Sequence, residues 1–502
     1  MVQWRSREVN PVVRTGAQYL ESLRDDRAVY IDGERVRDVT KDPRLAGAAN
    51  TVAELYDMQH DPAFAAKLTY PSPTSGRPVA LSFIEPRSRK ELEERGKAFA
   101  IVAEKCSGLF GRTPDFMNAG LAAIASAAEI FDTETRSYGA NVRRYYEDMR
   151  ERDLTMTHIQ VNPQVDRTRT VSQQINDIAL KTVRETDSGF YVNGMRLVGT
   201  LAQFSNEILV MPSVVVTNDE SAADYALAFA VSVATPGVKI ISRPTLIPQN
   251  AGHFLDHPLS SRFDEGDATI VFDNVFIPWE NAFIYRDVER CNRLYKQSFL
   301  TEHYTHQTQT RALAKTEFMA ALAIYIAKST KIDNFPNVQS QLADLLMFVE
   351  GHRALLAQAI ATGSQTPFGT FAPNRWPLHT SQIYYYERYD RMINTVRALT
   401  AGGLVAAPSY AEFSGEIADV VEQYFSTASL TSEKRIRLLR LAWDASVSGF
   451  SGRQSLYERF YQGDPVRRVT AYYRDYPTQG MTDRIDEVLD DLAVRARQFE
   501  NK

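Results

Sequence analysis

The sequence predicts an α+β protein. Two observations carry this: helical patterning fills both ends of the chain, and short period-two segments fill its middle. A third observation excludes the main alternative, because strands and helices do not alternate as they do in a βαβ dinucleotide-binding sheet. From Thr15 to about Arg150, small and apolar residues recur at helical spacing through AFAIVAEKCSGLF and GLAAIASAAEIF, which predicts an N-terminal α-helical domain over residues 1–153. Over residues 154–285 the pattern changes. GFYVNGMRLVG, EILVMPSVVVT, YALAFAVSV, GVKIIS and ATIVFDNVFI are short, rich in β-branched residues and bounded by Gly, Pro, Asn or Asp, which predicts a central β-domain. Within it, Asn193-Gly194 between Phe190–Val192 and Met195–Val198 predicts a two-residue hairpin turn, since both residues tolerate positive φ. After Pro278-Trp279-Glu280-Asn281, helices return over Thr308–Ala327, Val338–Ala361, Tyr384–Leu399, Glu433–Ser446 and Thr482–Ala496. Val338, Leu342, Leu345, Leu346 and Val349 hold one face of the second of these. Long helices with short connections predict a C-terminal bundle with a tail over residues 286–502.

Composition narrows the function. The chain has 502 residues, 44% hydrophobic and 24% charged, which is the balance of a multi-lobed globular enzyme. A net charge of −5 gives no reason to expect nucleic acid or an anionic membrane as partner. The opening MVQWRSREVNPVVRTG lacks the uninterrupted apolar run of an export signal. The longest apolar stretch in a helical context, Met319–Ala327, is about half a bilayer span, so a cytoplasmic protein is expected. Cys106 and Cys291 are too few for a disulfide framework or a cysteine metal site, and they suit a reducing compartment.

No G-x-G-x-x-G follows an expected strand and no Walker loop occurs, so neither a Rossmann nicotinamide site nor a nucleotide P-loop is expected. His253/His257 and His303/His306 have ligand-like spacings but no accompanying carboxylate set, and no metal site is expected. Three segments carry more chemistry. In Gly111-Arg112-Thr113-Pro114-Asp115-Phe116 the arginine precedes a Pro-fixed helix start that Thr113 can cap. There it could offer its fork to an anionic oxygen or ring carbonyl, or simply be solvated at an ordinary helix start. Thr157-His158-Ile159-Gln160-Val161-Asn162-Pro163 places a histidine where helices give way to strands, as a pocket group or a structural residue; His303 and His306 stand in the same position at the third region. Ser448-Gly449-Phe450-Ser451-Gly452-Arg453 combines two glycines with a cation, suiting a diphosphate or flavin edge, or a plain helix C-cap and turn.

Together these segments resemble the large component of the 4-hydroxyphenylacetate 3-monooxygenase family. RTGAQYLESLRDDRAVYIDGERVRDVT looks like the family opening, GRTPDF like G-R-T-P-D-Y, and THIQVNPQVDR like H-x-x-V-N-P-x-x-D-R. HPLSSRFDEGDATIVFDNVFIPWENAFIYRD and WDASVSGFSGRQSLYE resemble two further family blocks, and the likeness runs from about residue 13 to 480. The resemblance implies an acyl-CoA-dehydrogenase-like architecture, usually a homotetramer. It also implies FAD taken up as FADH2 from a separate NAD(P)H:flavin reductase, and O2 as co-substrate. In the family this chemistry hydroxylates a small aromatic substrate through a flavin C4a-hydroperoxide.

Carried over residue by residue, the resemblance implies that Arg112 and His158 contact the substrate hydroxyl and the flavin, with Gln160, Asn162, Thr200, Ser448, Phe450, Ser451, Gly452 and Arg453 around the cofactor. Leu201, Ala202, Gln203 and Phe450 stand with Phe116 on the substrate side. Phe116 replaces the family tyrosine, which shifts the expectation from 4-hydroxyphenylacetate toward phenols, halophenols and nitrophenols. The proton then passes to a histidine, with His303 ranked first as base, His306 as reserve and His158 as an orienting group. Other readings are an acyl-CoA-dehydrogenase-like flavin oxidoreductase and a non-catalytic flavin- or ligand-binding protein. A dehydratase of the iron–sulfur type needs three cysteines, and the chain has two.

Overall fold

The computed structural model describes residues 13–163, 165–174, 176, 178–212, 220–248 and 252–500. Residues 1–12, on which the expectation about an export signal rests, and residues 213–217 of the expected strand EILVMPSVVVT lie outside the described residues. The chain divides into two compact units, Met1–Ser455 and Leu456–Lys502.

The first unit opens with α1 (Gly16–Ser22), whose N-cap Thr15 and Gln18 form a reciprocal capping box. Two strands follow, β1 (Ala28–Ile31) and β2 (Glu34–Val36), then α2 (Ala46–Asp57), α3 (Arg89–Lys105), α4 (Pro114–Ser126) and α5 (Tyr138–Arg152). The N-terminal region is therefore not purely helical: β1 pairs in parallel with a strand some two hundred residues later, at Val29↔Ile240. Their sequence DDRAVYIDGERVRD is too short and too charged for its period-two pattern to stand out.

The central region contributes β3 (Met156–Ile159), β4 (Lys181–Thr186), β5 (Gly189–Arg196), β6 (Glu207–Val210), β7 (Leu227–Ser232), β8 (Val238–Ser242), β9 (Ala268–Pro278) and β10 (Ala282–Tyr285). They form a six-stranded sheet in the order β2-β1-β8-β9-β5-β4 and a four-stranded sheet in the order β10-β7-β6-β3. Phe229 of the smaller sheet meets Phe190 and Phe272 of the larger one, each at 6.0 Å and edge-on, so the two sheets share a core. The expected Asn193-Gly194 hairpin turn is not there. Both residues lie inside β5, Gly194 opposite Phe272, and the tight connection is at Asp187-Ser188 between the paired Thr186 and Gly189. Gly194 is needed for a different reason: its φ is +115°, and a Cβ would sit 2.4 Å from the Ala179 carbonyl oxygen.

The helices that follow are α6 (Val288–Gln297), α7 (Leu300–Ser329), α8 (Pro336–Ala361), α9 (Arg375–Thr400), α10 (Ser432–Ser446) and α11 (Gly449–Phe460). Two of them begin earlier than expected, α7 at Leu300 rather than Thr308 and α9 at Arg375 rather than Tyr384. Helix α7 packs on α3, α4, α8 and α9. Being surrounded, it buries even the polar run from Glu302 to Gln309 apart from Tyr304, and so shows no amphipathic stripe at its start. Leu346, expected on the inner face of α8, is 48% exposed. The second unit holds α12 (Pro465–Asp475), capped by the Asp464 side chain, and α13 (Gln479–Glu500). No helix among the described residues is long and apolar enough to cross a membrane. Cys106 and Cys291 are both buried and unpaired.

Candidate functional site

Three elements bring one cluster together. The loop before α4 supplies Arg112, whose backbone N–H donates to Glu265 Oε2 at 2.7 Å and whose guanidinium carbon lies 4.1 Å from the centre of the Phe116 ring one turn later. Thr113 occupies the N-cap position without making the cap hydrogen bond expected of it; its hydroxyl instead accepts from Gln307 Nε2 at 3.3 Å, and Pro114 alone sets the first turn. Strand β3 presents His158, its ring 5.5 Å from Phe116. Helix α7 presents Tyr304, stacked on Phe116 at 4.2 Å and 14° and lying 6.0 Å from His158. Arg112 and Phe116 are buried, at 8% and 3% exposure, whereas His158 and Tyr304 keep some accessible surface.

Electrostatics fixes the states of these groups. Burial, and then the Arg112 cation, pushes His158 down to about 3, so its imidazole is neutral at physiological pH and can give or take one hydrogen bond. Burial raises Tyr304 well above an ordinary phenol despite the opposing pull of Arg112, so its hydroxyl is a neutral donor. Burial likewise lifts the neighbouring Asp115 to about 6, against hydrogen bonds from Thr113 and Gln307. Tyr304 lies in no motif that the sequence singles out. Its only signal there is helical phase: on a helix, position 304 points about 100° away from position 303.

The two histidines expected as base are not in this cluster. His303 accepts from Arg95 Nη2 at 2.6 Å, and His306 lies edge-on to Phe99 at 5.6 Å, so the partners of both are on α3. Burial, reinforced by Arg95, holds His303 well below its usual range and His306 at about 3. His303 and His306, expected as base and reserve, thus meet Arg95 and Phe99 of α3, whereas His158 meets Phe116 and Tyr304.

A second cluster holds the loop Asp264-Glu265-Gly266-Asp267 at the centre of the chain. Arg453, from α11, donates to Glu265 Oε1 at 2.6 Å and to both oxygens of Asp267 at 2.9 and 2.6 Å. Arg243 donates to Asp264 at 2.6 Å and Asp267 at 2.9 Å, and Thr200 Oγ1 to Asp267 at 2.8 Å. Burial would raise Asp267, but Arg453 and Arg243 hold it well below the carboxylate range. Because Glu265 also receives the Arg112 N–H, this network sets where the α4 loop sits. Arg453 and Thr200, expected at the cofactor, are thus engaged by carboxylates. Asp444 works beside them, accepting from the backbone N–H groups of Leu259 and Ser260 at 2.8 Å each.

The remaining expected residues divide. Leu201, Ala202 and Gln203 are at most 1% exposed, and the Gln203 amide donates to Ser242 Oγ at 2.7 Å, so these side chains face the protein interior rather than an open pocket. The Thr157 hydroxyl does bind the Thr200 carbonyl at 2.6 Å, which ties the start of that loop to the strand carrying His158. Ser448 is hydrogen-bonded to Asp444, Phe450 is in the core, and Gly452 faces open space in the first turn of α11. Ser451 Oγ is buried with no partner among the described residues. Gln160 Oε1 accepts from the Tyr295 hydroxyl at 2.6 Å, and Asn162 Oδ1 accepts from Arg196 Nη1. Arg196 is fully buried, lowered by that burial to about 10, and its Nε and Nη2 have no partner among the described residues. Surplus donors beside Gln160 and Asn162 suit an acceptor-rich group such as a flavin ring edge. Two cavities lie elsewhere, one among the N-terminal helices beside Asp115 and Asn118, and one of about 290 Å³ between α8 and α9 at Phe348, His352 and Tyr384; Arg112, His158 and Tyr304 line neither. Among the described residues no group of His, Cys, Asp and Glu could hold a metal ion.

Comparison with known proteins places this geometry. Family models described as 4-hydroxyphenylacetate 3-hydroxylase N terminal and C terminal match residues 15–284 and 291–490. The 4-hydroxyphenylacetate 3-monooxygenase oxygenase component of Thermus thermophilus is 36% identical over 94% of this chain and 97% of that protein, and that of Geobacillus is 35% identical over 95% and 96%. The crystal structure of the oxygenase component of 4-hydroxyphenylacetate 3-monooxygenase complexed with FAD and 4-hydroxyphenylacetate superposes with a TM-score of 0.91 at 35% identity, covering 96% of this chain and 99% of that one. An archaeal 4-hydroxybutyryl-CoA dehydratase shares the fold, with a TM-score of 0.86 at 20% identity. Matched by both halves of the family model and by relatives along nearly its whole length, the chain belongs to the 4-hydroxyphenylacetate 3-hydroxylase family.

Proposed function

We propose that the chain is the oxygenase component of a two-component aromatic hydroxylase, using FAD in its reduced form with dioxygen to hydroxylate a phenol-type substrate. The observation that carries this reading is the cluster in which the Arg112 cation, the neutral His158 imidazole and the Tyr304 hydroxyl converge around the Phe116 ring. Reduced FAD, when bound, supplies the oxygen-activating chemistry. The chain's own residues do the rest. Arg112 selects the phenolate form of the substrate, the more nucleophilic one, whose proton is given up to water as it binds, so that no histidine base is required. His158, held neutral, orients the ring oxygen without competing for its proton. Arg196 Nε and Nη2, without partners among the described residues, would receive the flavin edge together with Gln160 and Asn162. The absence of a tyrosine hydroxyl at Phe116 favours simple, halogenated or nitrated phenols over 4-hydroxyphenylacetate. A separate NAD(P)H:flavin reductase supplies the reduced cofactor, and the protein works in the cytoplasm as a homotetramer. Exposed apolar residues at helical spacing on α13, namely Ile485, Leu489, Leu492 and Phe499, support subunit contacts.

The test is to mix the chain with FAD, a flavin reductase, NADH and air, and to screen phenols, halophenols, nitrophenols and anilines by mass spectrometry for one added oxygen. Hydroxylated product that needs the chain, with no NADH oxidation by the chain alone, is the expected result. Peroxide as the sole product across the panel would instead make the chain a flavin carrier, and light scattering of an active monomer would remove the homotetramer.

A further inference from the structure

We infer that Tyr304 is the hydroxyl donor to the phenolic oxygen of the substrate, taking from α7 the role that Phe116 cannot fill from α4; this rests on the function proposed above. Four features lead there. The Tyr304 ring is stacked face to face on Phe116 at 4.2 Å, so its hydroxyl extends from the same aromatic wall that Arg112 covers. Among the described residues that hydroxyl has one partner, Met117 Sδ at 3.5 Å, and a thioether is a weak acceptor that a phenolate oxygen would readily displace. The room for the ring is built in, since a Cβ on Gly120 would come within 1.9 Å of it. Finally, Tyr304 keeps accessible surface, whereas His303 and His306 on the same helix are buried against α3.

The consequence is specificity. A donor at Tyr304 beside a cation at Arg112 recognises a ring hydroxyl or its anion and gains nothing from a ring ether, which keeps the aromatic shape but carries no charge. With the donor on α7 rather than α4, the hydroxyl comes from a ring stacked on Phe116 and not from position 116 itself, which suits substrates of a different outline from 4-hydroxyphenylacetate.

Equilibrium binding to the FAD-loaded chain tests this without turnover, using 4-nitrophenol and its methyl ether 4-nitroanisole as probes. Tyr304→Phe is expected to weaken 4-nitrophenol about tenfold, the size of one hydrogen bond, and to leave 4-nitroanisole unchanged. The double variant Phe116→Tyr with Tyr304→Phe, which returns a hydroxyl to α4, is expected to recover most of the loss. Equal weakening of both probes, or of neither, would overturn the inference, because it would reduce Tyr304 to packing. A wild-type chain that prefers 4-nitrophenol through Tyr304 yet hydroxylates no phenol would overturn the proposed function and leave the Tyr304 assignment standing.

Discussion

Arg453 and Asp267 form a two-point ion pair, Nε to Oδ2 at 2.9 Å and Nη2 to Oδ1 at 2.6 Å, while the remaining arm of the same guanidinium reaches Glu265 at 2.6 Å. Glu265 in turn holds the Arg112 N–H, so a residue expected at the flavin is tied through Glu265 to the loop that carries Arg112. Arg453→Ala leaves two carboxylates, 0% and 22% exposed, without their main counter-charge. Breaking a buried pair from one side costs about 3–5 kcal/mol, and urea unfolding should show a loss of that order together with weaker phenol binding. Unchanged stability would mean that Arg243 alone satisfies the loop.

Arg112→Ala should leave the fold intact, because the hydrogen bond that ties its loop to Glu265 is made by the backbone N–H and survives the substitution. Hydrogen bonds to charged groups are worth about 1.5–3 kcal/mol, so kcat/KM for phenols should fall on the order of 10–100-fold. A thermal melt close to wild type together with this loss is the expected pair of results. Normal hydroxylation at saturating FAD would contradict the role of Arg112.

His303→Ala distinguishes a base from a buried partner of Arg95. A general base contributes about 10²–10⁴ in rate, and the variant should lose far less than that, because His303 is bonded to Arg95 and not placed among Arg112, Phe116 and His158. Stability should fall by about 1–3 kcal/mol, as a fully buried guanidinium keeps the Ile84 carbonyl but loses its shorter hydrogen bond. A turnover loss of a hundredfold or more, with stability unchanged, would restore His303 as base.

What was legible in the sequence follows from how local each signal is. Arg112 and Phe116 share one helix start, and His158 begins its own strand block, so short motifs carried all three. Tyr304 lies in a polar run buried among α3, α4, α8 and α9, where no hydrophobic stripe marks an inner face. Arg453 is ambiguous in the sequence because its carboxylate partners are 186 and 188 residues away, and a glycine-flanked cation looks the same whether it meets a phosphate or a carboxylate. The fold shows the same split. The change from helices to strands and back was visible in periodicity, but the pairing of β1 with β8 is non-local, and Asn193-Gly194 marked a strained position inside a strand rather than a turn.

The buried histidines also make stability depend on pH. In the unfolded chain His306 takes up a proton near 6.5, whereas in the fold burial and the Arg95 cation prevent this down to about 3. The stabilisation is therefore complete above pH 6.5 and is lost progressively as pH falls toward 3, because the unfolded state binds the proton first. His158, lowered to about 3, and His303, lowered well below its usual range, add to the same slope. Asp115 opposes it: raised to about 6, it stabilises the fold most at low pH and loses that contribution as pH rises through 6. Other groups pull both ways, His257 and His352 with these histidines, and Glu207, raised to about 8, Asp153 and Glu302 with Asp115. The deciding quantity is therefore how each substitution changes the slope of urea-unfolding stability between about pH 7.5 and 5. His306→Gln should flatten the slope by close to one proton, and Asp115→Asn should steepen it. A His306→Gln profile parallel to wild type would show that this histidine is charged in the folded chain and that its surroundings on α3 differ from those described.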